Sequence, residues 1–278
     1  MRKIIDFVYE LVSIYTKYRV PRSAAEFSYF LTLSIFPLLI CLTAMLTNLD
    51  ISESVLIDLL GTVLPENIVD VLSEYLKYVT ENYDKGMLFV GIVVMATSSA
   101  GAVRSLMNIM SDIQGQERFR GFWGTLISFV LAIGLLFTFY LAMVIMVTGG
   151  WFINMIDSFF GVDRMTYIWK WLRFVILLII MIALIGLLYR FSIPKAHSHK
   201  RSRWIGALTA AVSIVIFSMI FSAFIGMSSR YSLIYGSLAS LIILMVWAYT
   251  CGVILIMGNV LNMVIARKKA QKIAAFGA

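Results

Sequence analysis

Residues 174–189 read Phe174-Val-Ile-Leu-Leu-Ile-Ile-Met-Ile-Ala-Leu-Ile-Gly-Leu-Leu-Tyr189 and contain no charged side chain. Widened to 169–190, this stretch reaches the roughly 20 mainly apolar residues that a membrane-spanning helix needs. The whole chain of 278 residues follows the same pattern, being 61% hydrophobic and only 14% charged, with a mean hydropathy of +0.91. So few charges cannot cover a water-facing surface of this size. The composition therefore excludes an ordinary soluble enzyme, a disordered chain and a disulfide scaffold.

Further apolar stretches make the chain an all-α, polytopic integral membrane protein with one membrane domain, residues 1–278. Six transmembrane helices are predicted at 26–48, 86–108, 122–150, 169–190, 204–227 and 237–265. Two other regions are amphipathic and too polar to span. Residues 1–22 predict an interfacial helix that ends near Pro21, and residues 50–85 predict short extracytoplasmic helices that lie on the outer face or are re-entrant.

Charge placement predicts the orientation of these helices. With the N-terminus inside, 16 of the 23 Lys and Arg residues fall in inner segments and six in outer segments, as the positive-inside rule requires. Both termini are then cytoplasmic, which agrees with an even number of spans. The net charge of +8 is explained by topology and by anionic lipid headgroups at the cytoplasmic face, so no nucleic-acid partner is expected.

Three segments carry a family resemblance. They are Ala24-Ala-Glu-Phe-Ser-Tyr-Phe-Leu-Thr-Leu-Ser-Ile-Phe-Pro-Leu-Leu39, then Arg104-Ser-Leu-Met-Asn-Ile-Met110 with Glu117-Arg118, and finally Tyr235-Gly-Ser-Leu-Ala-Ser-Leu241 with Trp247-Ala-Tyr249 and Gly258-Asn-Val-Leu-Asn262. Together they resemble the YihY/BrkB family of bacterial inner-membrane proteins, in the same order and over nearly the whole chain.

The resemblance implies the fold and a location in the bacterial cytoplasmic (inner) membrane. For function it implies less, because the family's labels include serum resistance, a former ribonuclease name, and transport of lipids or other amphipathic compounds. One departure concerns the last motif, which in the family commonly has the form Gly-Ala-Glu-Leu-Asn. The segment Gly258–Asn262 has no acid. A proton or ion carried by that acid in relatives could not be carried there in this chain.

The ionisable side chains nearest the interior of spans are Glu26 and Arg104. The topology puts both near the inner ends of their helices, at similar depth, where they could pair. Charges inside a membrane usually face a cavity or one another. Two interpretations stay open, namely a substrate-headgroup site or gate at the inner mouth, and an interfacial pair that snorkels and fixes helix register.

Polar residues in the second and sixth predicted spans extend this hypothesis. Asn108, Asn259 and Asn262 could converge with the two charges on one inner polar pocket. Pro37 lies within the first span, where it is either a hinge or a static kink. The small residues of segment 98–101 indicate either close helix packing or a polar pathway.

Catalytic and cofactor motifs are lacking. His197 and His199 do not complete a zinc site, the sequence has no Walker A motif, and no His/Asp cluster could hold nuclease metals. We therefore expect no cofactor, no metal and no enzyme activity. The leading hypothesis is a transporter or lipid-translocating protein for an amphipathic or lipid-linked substrate. The alternative is a non-catalytic scaffold or assembly factor that holds envelope proteins or a second copy of itself.

Overall fold

The structure is a computed structural model, which describes residues 2–48, 85–115, 122–135, 137–138, 164–192, 200–226 and 238–276, and isolated positions at 57, 69, 73, 74 and 77. All regular secondary structure in these residues is α-helical. The helices are α1 Arg2–Lys17, α2 Val20–Asn48, α3 Lys85–Ile113, α4 Phe122–Leu135, α5 Arg164–Ser192, α6 Lys200–Gly226 and α7 Leu238–Phe276. The all-α class predicted from the sequence is confirmed.

Four of these helices are long and apolar enough to cross a membrane. Their apolar segments are Phe89–Ile113, Phe174–Ser192, Trp204–Ile225 and Leu241–Lys268, in α3, α5, α6 and α7. The predicted span 26–48 falls within α2, and α4 forms the first part of the predicted span 122–150. A large part of each of these two spans lies outside the described side chains. The count of six spans stays a prediction. The outer helices predicted for 50–85 also lie outside the described residues, apart from the isolated positions.

Two helix boundaries differ from the sequence prediction. The first helix ends at Lys17 instead of near Pro21, and Arg19 then adopts a left-handed backbone with φ 54°. Pro21 lies in the first turn of α2, where a missing N–H removes no intrahelical hydrogen bond. The second difference is that α7 continues to Phe276, well past the predicted end of its span at 265.

The helices alternate in direction. The Ser105 hydroxyl of α3 donates to the Ser23 carbonyl of α2, and the backbone N–H of Gly206 in α6 donates to Asn262 of α7. Since these contacts join the beginnings of α2 and α6 to the later parts of α3 and α7, the paired helices run antiparallel. This end of the bundle, here called the basic end, exposes Lys17, Arg19, Arg22, Arg190, Arg267 and Lys268.

Small residues set the spacing between helices. The most extensive packing joins α2 to α3, where Gly101 lies against the ring of Phe30. On the other side of α2, Gly252 of α7 admits Phe27 and Ala24. In a lipid environment apolar burial gives little net drive, so helix association relies on such close van der Waals contact. Gly101, the last residue of the small segment 98–101, therefore serves close packing.

The closest approach of backbones occurs where α6 crosses α7. A Cβ placed on Gly206 would collide with the carbonyl oxygen of Gly258 and with the side chain of Asn262. A Cβ on Gly258 would lie 2.6 Å from the hydroxyl oxygen of Tyr189 and 2.8 Å from the Cβ of Ala210. Both positions thus require glycine, because any side chain would push the two helices apart.

We predict that Gly206→Ala lowers the free energy of unfolding by about 1–3 kcal/mol, as overpacking of a close contact does. Gly134→Ala is the matched control, since its added Cβ would meet only the Leu184 side chain at an ordinary 3.7 Å. Thermal unfolding of the purified protein in detergent, followed by tryptophan fluorescence, measures both. Equal midpoints for the two variants would contradict the crossing.

Candidate functional site at the basic end of the bundle

A shallow polar pocket lies between α3 and α4. Arg104 of α3 is exposed, and its guanidinium donates a hydrogen bond to the Thr125 hydroxyl of α4. Positions 104, 108 and 111 fall on one face of α3 because they are four and three residues apart. The pocket is lined by Arg104, Met107, Asn108, Ser111, Gly124 and Ser128. It therefore combines one cation with several neutral hydrogen-bonding groups.

Arg104 lies within the apolar segment of α3, nearer to its later end. It precedes Asp112 by eight residues, which is about 12 Å along the helix axis, and the apolar segment of α3 runs from Phe89 to Ile113. Among the described residues, the hydrogen-bond partner of its guanidinium is a neutral hydroxyl and no carboxylate forms an ion pair with it. A cation at this depth, without a protein anion beside it, is suited to an anionic ligand.

Glu26 and Arg104 share a depth but not a contact. Gly101 packs on Phe30 and Ser105 bonds to Ser23, so Arg104 lies level with the first turns of α2. Glu26 nevertheless lies on the exposed face of α2, while Arg104 is directed toward α4. Within the described side chains, no ion pair joins the two. The pairing anticipated from the sequence is not formed in this structure.

Two of the three predicted asparagines are buried at the meeting point of α3, α6 and α7. Asn259 is fully buried and accepts a hydrogen bond of 2.7 Å from the Nε2 of Gln114. Asn262 accepts one of 2.7 Å from the backbone N–H of Gly206. The partly buried Gln114 and the buried Asn259 and Asn262 are together named here the buried amide layer. The Nδ2 of Asn259 has no hydrogen-bond acceptor although it is buried.

Helix α5 joins this layer through Tyr189 and Ser192. The fully buried Tyr189 donates a hydrogen bond of 2.7 Å to the Leu255 carbonyl, and the hydroxyl of Ser111 donates one of 3.1 Å to the Ser192 carbonyl. Four helices are thus tied together at the basic end by polar contacts. Sequence reasoning missed both Gln114 and Tyr189. Gln114 had a detectable signal, since it is an uncharged polar residue directly after an apolar span.

The polar residues anticipated as one pocket form two adjacent groups. Arg104 and Asn108 line the open pocket, whereas Asn259 and Asn262 belong to the buried amide layer. Ser111 lines the pocket and also donates a hydrogen bond to the Ser192 carbonyl of α5.

Pro37 lies apart from both groups. It is buried in α2, about 16 Å along the helix axis from Glu26. Its ring removes the hydrogen bond that the Leu33 carbonyl would otherwise accept. His197 and His199 fall outside the described residues. Among those described, no group of three or more His, Cys, Asp or Glu side chains could hold a metal ion.

The hydrogen bond between Gln114 and Asn259 yields a prediction. A double-mutant cycle of Gln114→Ala and Asn259→Ala should give a coupling free energy of about 1 kcal/mol, because each single change leaves a partly or fully buried amide without its partner. The control cycle pairs Gln114→Ala with Asn108→Ala and should give a value near zero. Unfolding midpoints in one detergent measure both cycles. Equal coupling in the two cycles would refute the contact.

Comparison with known proteins gives concordant results. A putative ribonuclease-like protein YfkH of Bacillus subtilis is 26% identical over 95% of this chain and 97% of its own length. UPF0761 membrane proteins of Verminephrobacter eiseniae and Aromatoleum aromaticum are 25% and 23% identical over 73% and 92% of this chain, and 48% and 63% of their own lengths. No solved structure matches the chain.

The family profile described as Virulence factor BrkB matches residues 11–276, which is nearly the whole chain. This match confirms the resemblance noted from the three sequence segments. The relatives named as membrane proteins agree with the four apolar helices of the structure. The chain is an integral membrane protein and belongs to the BrkB virulence factor family.

Proposed function

We propose that this protein moves an amphipathic or lipid-linked substrate with an anionic headgroup between the leaflets of the bacterial cytoplasmic membrane. The observation that carries the proposal is the guanidinium of Arg104, exposed in a polar pocket within an apolar span. By the positive-inside rule, the basic end lies in the cytoplasm together with both termini. The headgroup would then enter from the inner leaflet.

The chemistry of the pocket supports an oxyanion as its ligand. A charged Arg within a spanning helix is costly and usually faces a cavity or a partner. A phosphate or carboxylate offsets this cost and accepts two parallel hydrogen bonds from the planar guanidinium. The amide of Asn108 lines the same pocket, and the Thr125 hydroxyl adjoins it through its hydrogen bond with Arg104, so both can bind the remaining oxygens.

The exposure of Arg104 supports lateral entry from the bilayer. Beside the pocket, α4 presents the exposed aromatic residues Phe122 and Trp123 at its first turn, as is typical of side chains at a membrane interface. A lipid could insert its headgroup between α3 and α4 while its acyl chains stay in the membrane. This arrangement favours a lipid over a free water-soluble anion.

The buried amide layer supports a closed state of the path at the basic end. Gln114, Asn259 and Asn262 fill the space among α3, α6 and α7. To pass this level, the headgroup of the substrate would move along the surface between α3 and α4, or the contacts of the layer would have to break. In that case Glu26 and Pro37 contribute by changing the position of α2, which packs on α3.

The same closed layer favours a second candidate, a scaffold without catalytic or transport activity. A bundle held closed by buried polar contacts, with a shallow pocket on the surface of its described residues, is what such a protein requires. Its partners would be envelope proteins or a second copy of the chain. Neither candidate involves catalysis, and the word ribonuclease in the name of the Bacillus subtilis relative is not carried over to this chain.

An exchange assay separates the candidates. We expect purified wild-type protein in liposomes to exchange labelled phosphatidylglycerol between leaflets well above the rate of empty liposomes. Arg104→Ala should reduce this rate at least about tenfold, the loss expected when a charge-assisted hydrogen bond of about 1.5–3 kcal/mol is removed. Arg190→Ala should leave it unchanged, since Arg190 is exposed at the same end but outside the pocket.

Two outcomes would oppose translocation. Absence of exchange by folded wild-type protein would leave the scaffold as the better account. Equal losses in the Arg104 and Arg190 variants would show that net charge, and not the pocket, controls the rate. Arg104→Lys should restore part of the activity, because Lys keeps the charge without the planar fork of donors.

A further inference from the structure

Helix α7 provides a common scale of depth for the helices around it. Gly252 of α7 lies against Ala24 of α2, and Gly258 and Asn262 lie against Gly206 of α6. Both neighbours run antiparallel to α7 and rise about 1.5 Å per residue, so each of their side chains can be assigned a level on α7. Positions 252 and 258 differ by six steps of about 100°, which puts α2 and α6 on flanks of α7 about a third of a turn apart.

Charged side chains are exposed on the flank formed by α2 and α3, at the level of Gly252. Arg22 and Glu26, one turn apart, lie on either side of the α2 residue that touches Gly252. The hydrogen bond from Ser105 of α3 to α2 places the exposed Arg104 at this level too. We call Arg22, Glu26 and Arg104 the charged belt. Because exposed charges are expensive in hydrocarbon, the charged belt requires headgroups or water at this level.

The α6 flank remains apolar much nearer to the basic end. Counted from the contact of Gly206, Leu208 is level with about position 258 of α7, and Trp204 lies one turn further out. Leu208, Ile205 and Trp204 are 48%, 42% and 55% exposed. Position 258 is six residues, or about 9 Å, beyond Gly252. Lipid hydrocarbon therefore extends about 9 Å nearer to the basic end along α6 than the charged belt permits along α2 and α3.

Aromatic residues at the membrane interface repeat this offset. Phe122 and Trp123 are exposed in the first turn of α4, and Thr125, which follows them, accepts the hydrogen bond from Arg104. They therefore lie close to the level of the charged belt, whereas the exposed Trp204 of α6 lies nearer to the basic end. Since such aromatic side chains are typical of membrane–water interfaces, the interface is deeper along α3 and α4 than along α6.

The other end of the bundle shows no such offset. Counted from the same contacts, Val90 of α3 and Phe224 of α6 are both level with the first turns of α7, which begins at Leu238. Both side chains are apolar and exposed. A tilt of the whole bundle would shift both ends of one flank in the same direction relative to the other flank. Because the offset is confined to the basic end, tilt alone does not account for it.

We propose that the protein thins the cytoplasmic leaflet along the α2–α3 flank, so that phospholipid headgroups there lie about 9 Å deeper than along α6. Thinning is a usual response of a bilayer to a short hydrophobic surface, and it costs little compared with holding charges in hydrocarbon. Snorkelling relieves Arg22 but not the short side chain of Glu26, nor Arg104, which is directed toward α4. The inference concerns the bilayer, so it stands for a translocating protein and for a scaffold alike.

Spin labels at matched levels test the thinning. In the full chain with Cys41→Ser and Cys251→Ala, labels are attached at Ala25→Cys on α2 or Val215→Cys on α6, two exposed positions at the same level on α7. In phosphatidylcholine and phosphatidylglycerol liposomes with a nickel-chelating headgroup lipid, the label at 25 should be relaxed several-fold more than that at 215. Oxygen, which concentrates in hydrocarbon, should show the reverse order. Equal responses of the two labels would overturn the proposal.

Further measurements separate thinning from its alternatives. Labels at Val90→Cys and Phe224→Cys, at the other end of the bundle, should respond alike, and a large difference between them would show a tilted bundle instead. Relaxation of the label at 25 by a water-soluble nickel chelate, without relaxation by the nickel lipid, would show a water-filled cleft that excludes headgroups. Either result would contradict the proposal. Gel filtration and the unfolding midpoint check that each labelled protein is folded.

Discussion

The close crossing of α6 and α7 is the contact on which the basic end of the bundle depends. Gly206 and Gly258 let the two backbones touch, and this proximity brings the side chain of Asn262 to the Gly206 N–H. Tyr189 then fits against Gly258 and bonds to Leu255. Without glycine at these positions, the helices would separate and the buried amide layer would lose its partners. A polar layer inside a membrane protein is stable only if nearly all its groups are paired.

Two polar groups with different environments result from this geometry. In the buried amide layer, Gln114 donates a hydrogen bond to Asn259, so that layer stabilises the closed bundle. In the pocket of Arg104, the described partner is a neutral hydroxyl and the guanidinium is exposed. A closed polar layer beside an exposed cation suggests a division of roles, in which the layer holds the helices together and the pocket binds a ligand.

The sequence was informative about depth and much less about direction around each helix. Hydropathy predicted the helices α3, α5, α6 and α7, and residue spacing correctly put Glu26 and Arg104 at one level. Depth can be read from sequence because each helical residue advances a fixed distance. Which way a side chain points depends on the neighbouring helices, and here Glu26 faces outward while Arg104 faces α4. The same reason explains why Asn108 and Asn259 fall in different groups.

Local backbone rules account for the remaining differences. Pro21 suggests a helix end in the sequence, but proline is also common in the first turn of a helix. Here the chain turns before it, at Tyr18 and Arg19, and Pro21 lies in the first turn of α2. Burial of Tyr189 could not be foreseen, because a tyrosine at the end of an apolar run usually lies at the membrane interface. Family membership itself was predictable, since the three quoted segments lie within the region of the family match.

Binding of an anionic lipid headgroup in the pocket of Arg104 can be measured directly on the purified protein. Native mass spectrometry of the purified protein, released from a mixed detergent micelle of phosphatidylglycerol and phosphatidylcholine, counts the lipids that remain bound. The account predicts preferential retention of phosphatidylglycerol by the wild type and loss of that preference in Arg104→Ala but not in Arg190→Ala. An unchanged lipid preference in the folded Arg104→Ala protein would contradict it.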